Sequence, residues 1–421
     1  MVVFADPQME GDAKIRRLGK RALVDLAFND AYMRHIYKTM MSPSWAPLNT
    51  LSSYLSQEEH KATAPTHVTI LGDLFSSQWI KDSEFDIRLE RYKSIFSDPA
   101  QQSPQAHQPR GAFDDPRNVP IMINITGNHD IGYGYDISQS RLDRWETAFG
   151  KSNFITSVRV PHPTSGRGSG PGNFNISETL SQQLHLVVLN TMLLDGPSSD
   201  ENLRGQTWEF LQEAALIKEQ RPSDKIVLLT HIPFHKEKDI CVDPPDIRFH
   251  SDQTIIEQTM LTPNTTNWIL DYLKPDFILN GHDHFGCDVT HVQELNEHGD
   301  EVVWKAYATA SPSLDAVPEK QGDRRAWVRE VTQRSMMAEY AGYSGLFEIR
   351  RTSQSSEPEL EFHYRACGFF TDLQVWAMIV TDLIVAGVWC VIALCHVVRN
   401  LVVSRSQKSR IPSFSTKEKQ N

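Results

Sequence analysis

Five short stretches of this chain carry side chains that could hold metal ions and move protons: Asp6-Pro7-Gln8, Gly72-Asp73, Gly127-Asn128-His129-Asp130, Thr230-His231 and Gly281-His282-Asp283-His284. Each follows a short apolar run: VVFA, VTIL, IMINI, IVLL and FIL. Singly the pieces are weak, since a lone Gly-Asp is common and two alternating histidines are more often incidental than ligating. Together Asp6, Asp73, Asn128, His231, His282 and His284 give two carboxylates, one amide and three imidazoles at the tips of separate strands, with His129 beside them. That inventory suits two divalent ions about 3.5–4 Å apart, the arrangement used for in-line displacement at phosphorus. Mixed carboxylate and imidazole ligands favour manganese, iron or zinc over calcium or magnesium.

The elements that must position these residues are legible in outline. β-Branched and apolar runs at 2–5, 68–71, 121–125, 185–189, 226–229 and 277–279 read as buried parallel strands, with Asn124 inside a central one. In α/β sheets, ligands bind beyond the carboxyl ends of such strands, where all five stretches fall. Gly127 permits the turn that brings Asn128, His129 and Asp130 round. Helical spacing is expected over 14–41, 141–149 and 206–219, and strand-like alternation over 302–308 and 345–349. The result is an α/β domain over residues 1–365 that becomes β-rich toward its end. Residues 97–118, rich in Pro, Gln and Asp, and 161–173, rich in Gly, Ser and Pro, read as mobile insertions.

The chain has 421 residues and a net charge of −11, with 40% hydrophobic residues, enough for a sizeable core. The acidic balance argues against nucleic acid as the main partner, because phosphate backbones are bound by basic surfaces. Five cysteines (Cys241, Cys287, Cys367, Cys390, Cys395) are widely spaced and form no CxxC pair, so neither a zinc ribbon nor a disulfide-dense scaffold is expected.

From Val375 to Val398 the run is almost wholly apolar, with Asp382 its only charged residue. A span placed at 369–398 is long enough to cross a bilayer as a helix. Basic residues Arg399, Arg405, Lys408, Arg410, Lys417 and Lys419 follow it, against one acid, Glu418. The positive-inside rule then makes 399–421 a cytosolic tail and places the large domain in the secretory lumen. The last residues, KEKQN, resemble a di-lysine retrieval signal, which implies coat proteins as partners of the tail. Met1 is followed at once by a strand, so a lumenal domain leads us to expect an anchoring segment upstream. Sequons begin at Asn124, Asn175 and Asn264; the first is expected to stay unmodified within its strand.

Taken in order, the five stretches resemble the calcineurin-like metallophosphoesterase superfamily, whose pattern is DxH…GD…GNH…H…GHxH. The resemblance runs from Val2 to about Ile349. It implies a β-sandwich flanked by helices, here with one C-terminal transmembrane helix. It also implies that Asp73 bridges two metals, that Asp6 and His284 serve the first ion, and that Asn128, His231 and His282 serve the second. The chain departs from the pattern at Gln8, where histidine is expected; a glutamine oxygen is a neutral, weaker ligand. Within the superfamily, FADPQMEGD, LGDLFSSQW, GNHDIGYG and NGHDHFGCD resemble the membrane-bound phosphoesterases that remodel GPI-anchor glycans in the early secretory pathway.

That resemblance implies removal of an ethanolamine-phosphate branch from a mannose of the glycan, supporting export of GPI-anchored proteins from endoplasmic reticulum to Golgi. A metal-bridging hydroxide would attack phosphorus. His129 would stabilise the transition state or protonate the leaving alkoxide. Asp130 either orients His129 or caps the following helix. Two further readings compete. One is a phosphatase or nuclease of the same superfamily. The other is a non-catalytic membrane adaptor linked to cargo-sorting machinery, favoured only by Gln8.

Overall fold

Along β1 (Val2–Phe4) alternate side chains serve two different interiors. Val3, and Ala5 just beyond the strand, belong to the cluster at the centre of the domain, while Phe4 packs its ring 5.8 Å from Tyr37 and 6.5 Å from Phe96 on covering helices. A strand buried on both faces must be apolar throughout, which is why the run VVFA carries no polar break. The computed structural model describes residues 1–41, 65–96, 120–159, 182–295, 302–309, 326–351, 360–369 and 372–408. The expected insertions at 97–118 and 161–173, the sequon at Asn175 and the KEKQN terminus lie outside them.

After β1 come α1 (Asp12–Leu18) and α2 (Lys20–Met41), a helical stretch broken at Gly19. β2 (His67–Ile70), α3 (Asp82–Phe96), β3 (Ile121–Asn124), the single turn α4 (Asn128–Ile131) and α5 (Gln139–Phe149) follow. β4 (Phe154–Arg159), β5 (Gln183–Val188), α6 (Glu201–Gln220) and β6 (Lys225–Leu229) come next. The hairpin β7 (Ile247–Phe249) and β8 (Ile255–Gln258) precedes α7 (Pro263–Trp268) and β9 (Phe277–Asn280). The unit closes with β10 (Cys287–Leu295), β11 (Val302–Ala308), β12 (Trp327–Thr332), β13 (Tyr343–Arg351) and β14 (Leu360–Gly368).

Two sheets result, ordered β14-β13-β1-β2-β3 and β11-β10-β12-β9-β6-β5-β4. β1, β2 and β3 run parallel in the first, and β5, β6, β9 and β12 in the second. Their facing side chains, among them Val3, Leu71, Ile123 and Phe347 against Leu186, Val227, Leu279 and Val331, form the core between the sheets. Burying each such side chain contributes about 1.5–3 kcal/mol. This is the expected β-sandwich with helices on its outer face. One expectation fails: β3 is the edge of its sheet among the described residues, not a central strand. Asn124 is only half-buried, and its side chain accepts from the Tyr92 hydroxyl.

The chain divides into two compact units, Met1–Phe369 and Phe370–Asn421. In the second, α8 (Asp372–Lys408) is a single 37-residue helix. Its segment Val380–Asn400, with mean hydropathy 2.1, is long and apolar enough to cross a membrane.

Candidate metal centre

The parallel strands β1, β2, β3, β6 and β9 all end at one rim of the sandwich. The residues just past them are Asp6, Asp73, Asn128, His231 and His282. Asp6, Asp73, Asn128 and His231 are buried, His282 and His284 are partly buried, and the His129 side chain is 38% exposed. Four site residues sit in the left-handed region of backbone space: Asp6 (φ 50°), Gln8 (39°), Asp73 (50°) and His282 (74°). Each such conformation costs on the order of 1–3 kcal/mol and persists only where the surroundings impose it.

Two glycines make the close approach possible. A Cβ on Gly127 would overlap the Asp73 carboxylate, and Gly72, at φ 91°, lies against the ring of His231. The loops are pinned across one another as well. The Gln8 amide donates to the Asp73 carbonyl at 2.9 Å, the His129 amide to Asp73 Oδ1 at 2.8 Å, and the His282 amide to both oxygens of Asp6 at 3.2 Å.

The histidine tautomers follow from their outer contacts. His231 Nδ1 lies 2.7 Å from the Leu71 carbonyl, which can only accept, so that nitrogen donates and Nε2 faces inward. Nε2 then meets Asn128 Oδ1 at 3.0 Å and Asp73 Oδ1 at 3.4 Å. His282 Nε2 likewise donates to the Gln258 carbonyl at 3.0 Å, leaving Nδ1 to ligate. Asp73, His231 and His282 offer ligand atoms all within 4.8 Å of one another. Lone pairs gathered this closely in a buried place fit a divalent cation. Gln8 Nε2 lies 3.1 Å from Asp73 Oδ2 and 3.0 Å from His284 Nε2, so those residues meet as well. All seven expected ligands therefore stand at the rim.

Packed this closely, the buried acids and bases shift one another. Burial pushes the Asp6 carboxyl well above the usual range, against the pull of His231. Burial opposes ionisation of Asp73 too, but His231 and His129 outweigh it and hold that carboxyl below its ordinary value. His231, despite burial, is drawn up to about 9 by Asp73, whereas burial and the charge of His231 push His282 down to about 3. A bound divalent ion would supply the positive charge that His231 now provides, and would favour neutral imidazoles.

His129 Nε2 stands 3.9 Å from Asp73 Oδ2, at the exposed lip, open to an incoming substrate. Asp130 needs a correction. Its carboxylate is buried and accepts from the main-chain N–H of Gly127 at 2.9 Å and of Phe75 at 3.1 Å. It fastens the turn at the head of α4 to the loop after β2 and is not aimed at the His129 ring; burial pushes it up to about 7. Of the two roles the sequence left open for Asp130, the geometry supports the backbone cap.

Residues that sequence reasoning missed lie one layer out. The Gln258 side chain is locked by Asp195, at 2.9 Å, which places the carbonyl that orients His282. Glu330 on β12 accepts from Lys236 Nζ at 2.8 Å, from the Phe234 amide at 2.9 Å and from Asn280 Nδ2 at 2.6 Å, so it ties the loop after His231 to the strand before His282. A buried acid opposite a buried lysine is a signal only once the strands are paired. Cys241 and Cys287 form a disulfide, Cα–Cα 5.7 Å, joining that same loop to the start of β10.

A sandwich whose parallel strand ends gather buried carboxylate, amide and imidazole ligands beside an exposed histidine defines a metal-dependent hydrolase of phosphate esters. The model of the calcineurin-like phosphoesterases matches residues 26–286. The chain belongs to that family. It is 27% identical to Protein TED1 of Saccharomyces cerevisiae over 92% of this chain and 82% of that one. It is 30% identical to an uncharacterised protein of Schizosaccharomyces pombe, covering 70% of this chain and 64% of that one. With Metallophosphoesterase 1 of Xenopus laevis it shares 25% identity over 55% of this chain and 54% of the frog protein. The chain thus spans somewhat under two thirds of the fission-yeast relative and about half of the frog one.

Proposed function

We propose that the protein is a phosphodiesterase of the early secretory pathway that removes an ethanolamine-phosphate branch from a mannose of the GPI-anchor glycan. The observation that carries this reading is the cleft beside the metal centre. About 740 Å³ in volume, it begins at Gln8 and is lined by Lys14, Arg17, Asp30, Trp79 and Arg91. An exposed indole with fixed acids and bases suits a polar, sugar-bearing ligand, and the volume suits several residues of one. The motif phrases around the ligands resemble those of GPI-glycan phosphoesterases, and α8 would keep such an enzyme on the membrane that holds its substrate. The Cys241–Cys287 disulfide supports a lumenal domain, because such bonds persist in oxidising compartments. The sequon residue Asn264 is exposed in the first turn of α7, open to glycosylation there.

Asp73, Asn128, His231 and His282 would hold a divalent ion; manganese is our choice, with iron or zinc as alternatives. Bound, the metal supplies a Lewis acid for phosphoryl oxygens and a hydroxide at neutral pH. The protein's own part is positional. Leu71 and Gln258 carbonyls fix the imidazoles, and Asp73 accepts the His129 amide and so sets that ring at the lip. There His129 can give a proton to the departing mannose oxygen as the phosphorus–oxygen bond breaks.

The test is the GPI-glycan mass profile of cells lacking the protein, with purified protein added back. Retained ethanolamine phosphate on one mannose, cleared by wild type but not by His282→Ala, is the expected result. An unchanged profile would sink the substrate assignment and leave the phosphoesterase class standing. Binding of the tail by coat proteins, and any tie to cargo sorting, belong to the same proposal.

A further inference from the structure

The two halves of the metal centre differ in where their hydrogens lie. On the side of Asn128, His231 and His282, each imidazole gives its hydrogen outward, to the Leu71 or the Gln258 carbonyl. When a cation displaces the inner proton of His231, what remains inside is acceptors only: His231 Nε2 faces Asn128 Oδ1 at 3.0 Å and Asp73 Oδ1 at 3.4 Å. Buried acceptors set against each other are costly unless a cation lies among them.

On the side of Asp6, Gln8 and His284, donors already fill that role. The Gln8 side-chain nitrogen is 3.1 Å from Asp73 Oδ2 and 3.0 Å from His284 Nε2. An amide nitrogen has two hydrogens, one for each of these acceptors. Both oxygens of Asp6 take the His282 amide at 3.2 Å. Gln8 is also held from behind by its own main-chain bond to the Asp73 carbonyl and by its left-handed backbone.

We infer that in this chain the Gln8 amide stands in for the first cation. Its –NH₂ bridges Asp73 and His284, and the protein holds one tightly bound divalent ion, on Asp73, Asn128, His231 and His282. The inference concerns metal content alone and does not depend on the identity of the substrate. An amide turned end for end would instead present oxygen as a ligand to a second ion, and metal content separates the two arrangements.

The experiment uses the full chain in detergent, stripped with chelator, dialysed against Mn²⁺ and analysed by elemental analysis and electron paramagnetic resonance. Wild type should retain one equivalent with the hyperfine pattern of an isolated ion. Gln8→His and Gln8→Glu should each retain two, with an exchange-coupled spectrum. His284→Ala should leave one, and His282→Ala should lose it. Two coupled ions in wild type overturn the inference. So does a single ion in both Gln8 variants, because Gln8 would then not be what excludes the second. Gln8→Glu changes shape least, so it carries the test if Gln8→His fails to fold.

Discussion

Asp73 gives one oxygen to each half of the centre, and His129 hangs beside it at the lip. If His129 serves as proton donor and not as a ligand, His129→Ala should lower kcat by about 10²–10⁴-fold while metal content, read by elemental analysis, stays at the wild-type value. Loss of metal in that variant would contradict the assignment. Asp130 makes the opposite prediction. Asn at this position keeps one acceptor for two main-chain amides, so Asp130→Asn should cost about 1–3 kcal/mol in a denaturant titration, with kcat of the folded fraction nearly intact. The ligands were legible in the sequence because each follows an apolar run and a glycine or proline lies beside most of them. The role of Asp130 stayed open between two readings, because one of its two partners is the Phe75 amide, in a loop 55 residues away, which no side-chain pattern reports.

At the scale of elements, β12 is the piece that braces the rim. Burial disfavours the Glu330 charge, but Lys236 and His291 outweigh it and hold the carboxyl down to about 2. A carboxyl lowered on folding adds stability that is complete above its unfolded value of about 4.5 and is lost as pH falls through 2. Acid unfolding of the wild type should therefore carry a Glu330-dependent component in that window, absent in Glu330→Gln. That variant should also be less stable at pH 7 by about 3–5 kcal/mol, because it strands a buried lysine. The parallel strands β1, β2, β3, β5, β6 and β9 were readable as apolar runs, whereas β12, also parallel, and the antiparallel β10 and β14 mix polar and apolar residues and were not. α3 escaped notice for a related reason: its buried face includes the ion pair Glu84–Arg88, which reads as solvent-facing until the Met9 carbonyl and the Asp12 amide are seen to complete it.

For the whole molecule, α8 raises the question of sides. In the proposed orientation, with the basic tail cytosolic, protease added to sealed microsomes should trim only the residues after α8 and leave a protected fragment carrying the metal centre. Degradation of the large domain under those conditions would reverse the proposed orientation. The Cys241–Cys287 bond gives that question a second meaning. It closes a loop with a sequence separation of 46 that contains β7, β8, α7 and β9 and the strand end that carries His282 and His284. By chain entropy such a closure is worth about 4 kcal/mol. The oxidising power of the compartment would then be an ingredient of the metal centre, much as the ion is. A copy of the domain stranded in the reducing cytosol should release its metal to a chelator faster than the oxidised form, and reductant added to the purified protein should reproduce that difference.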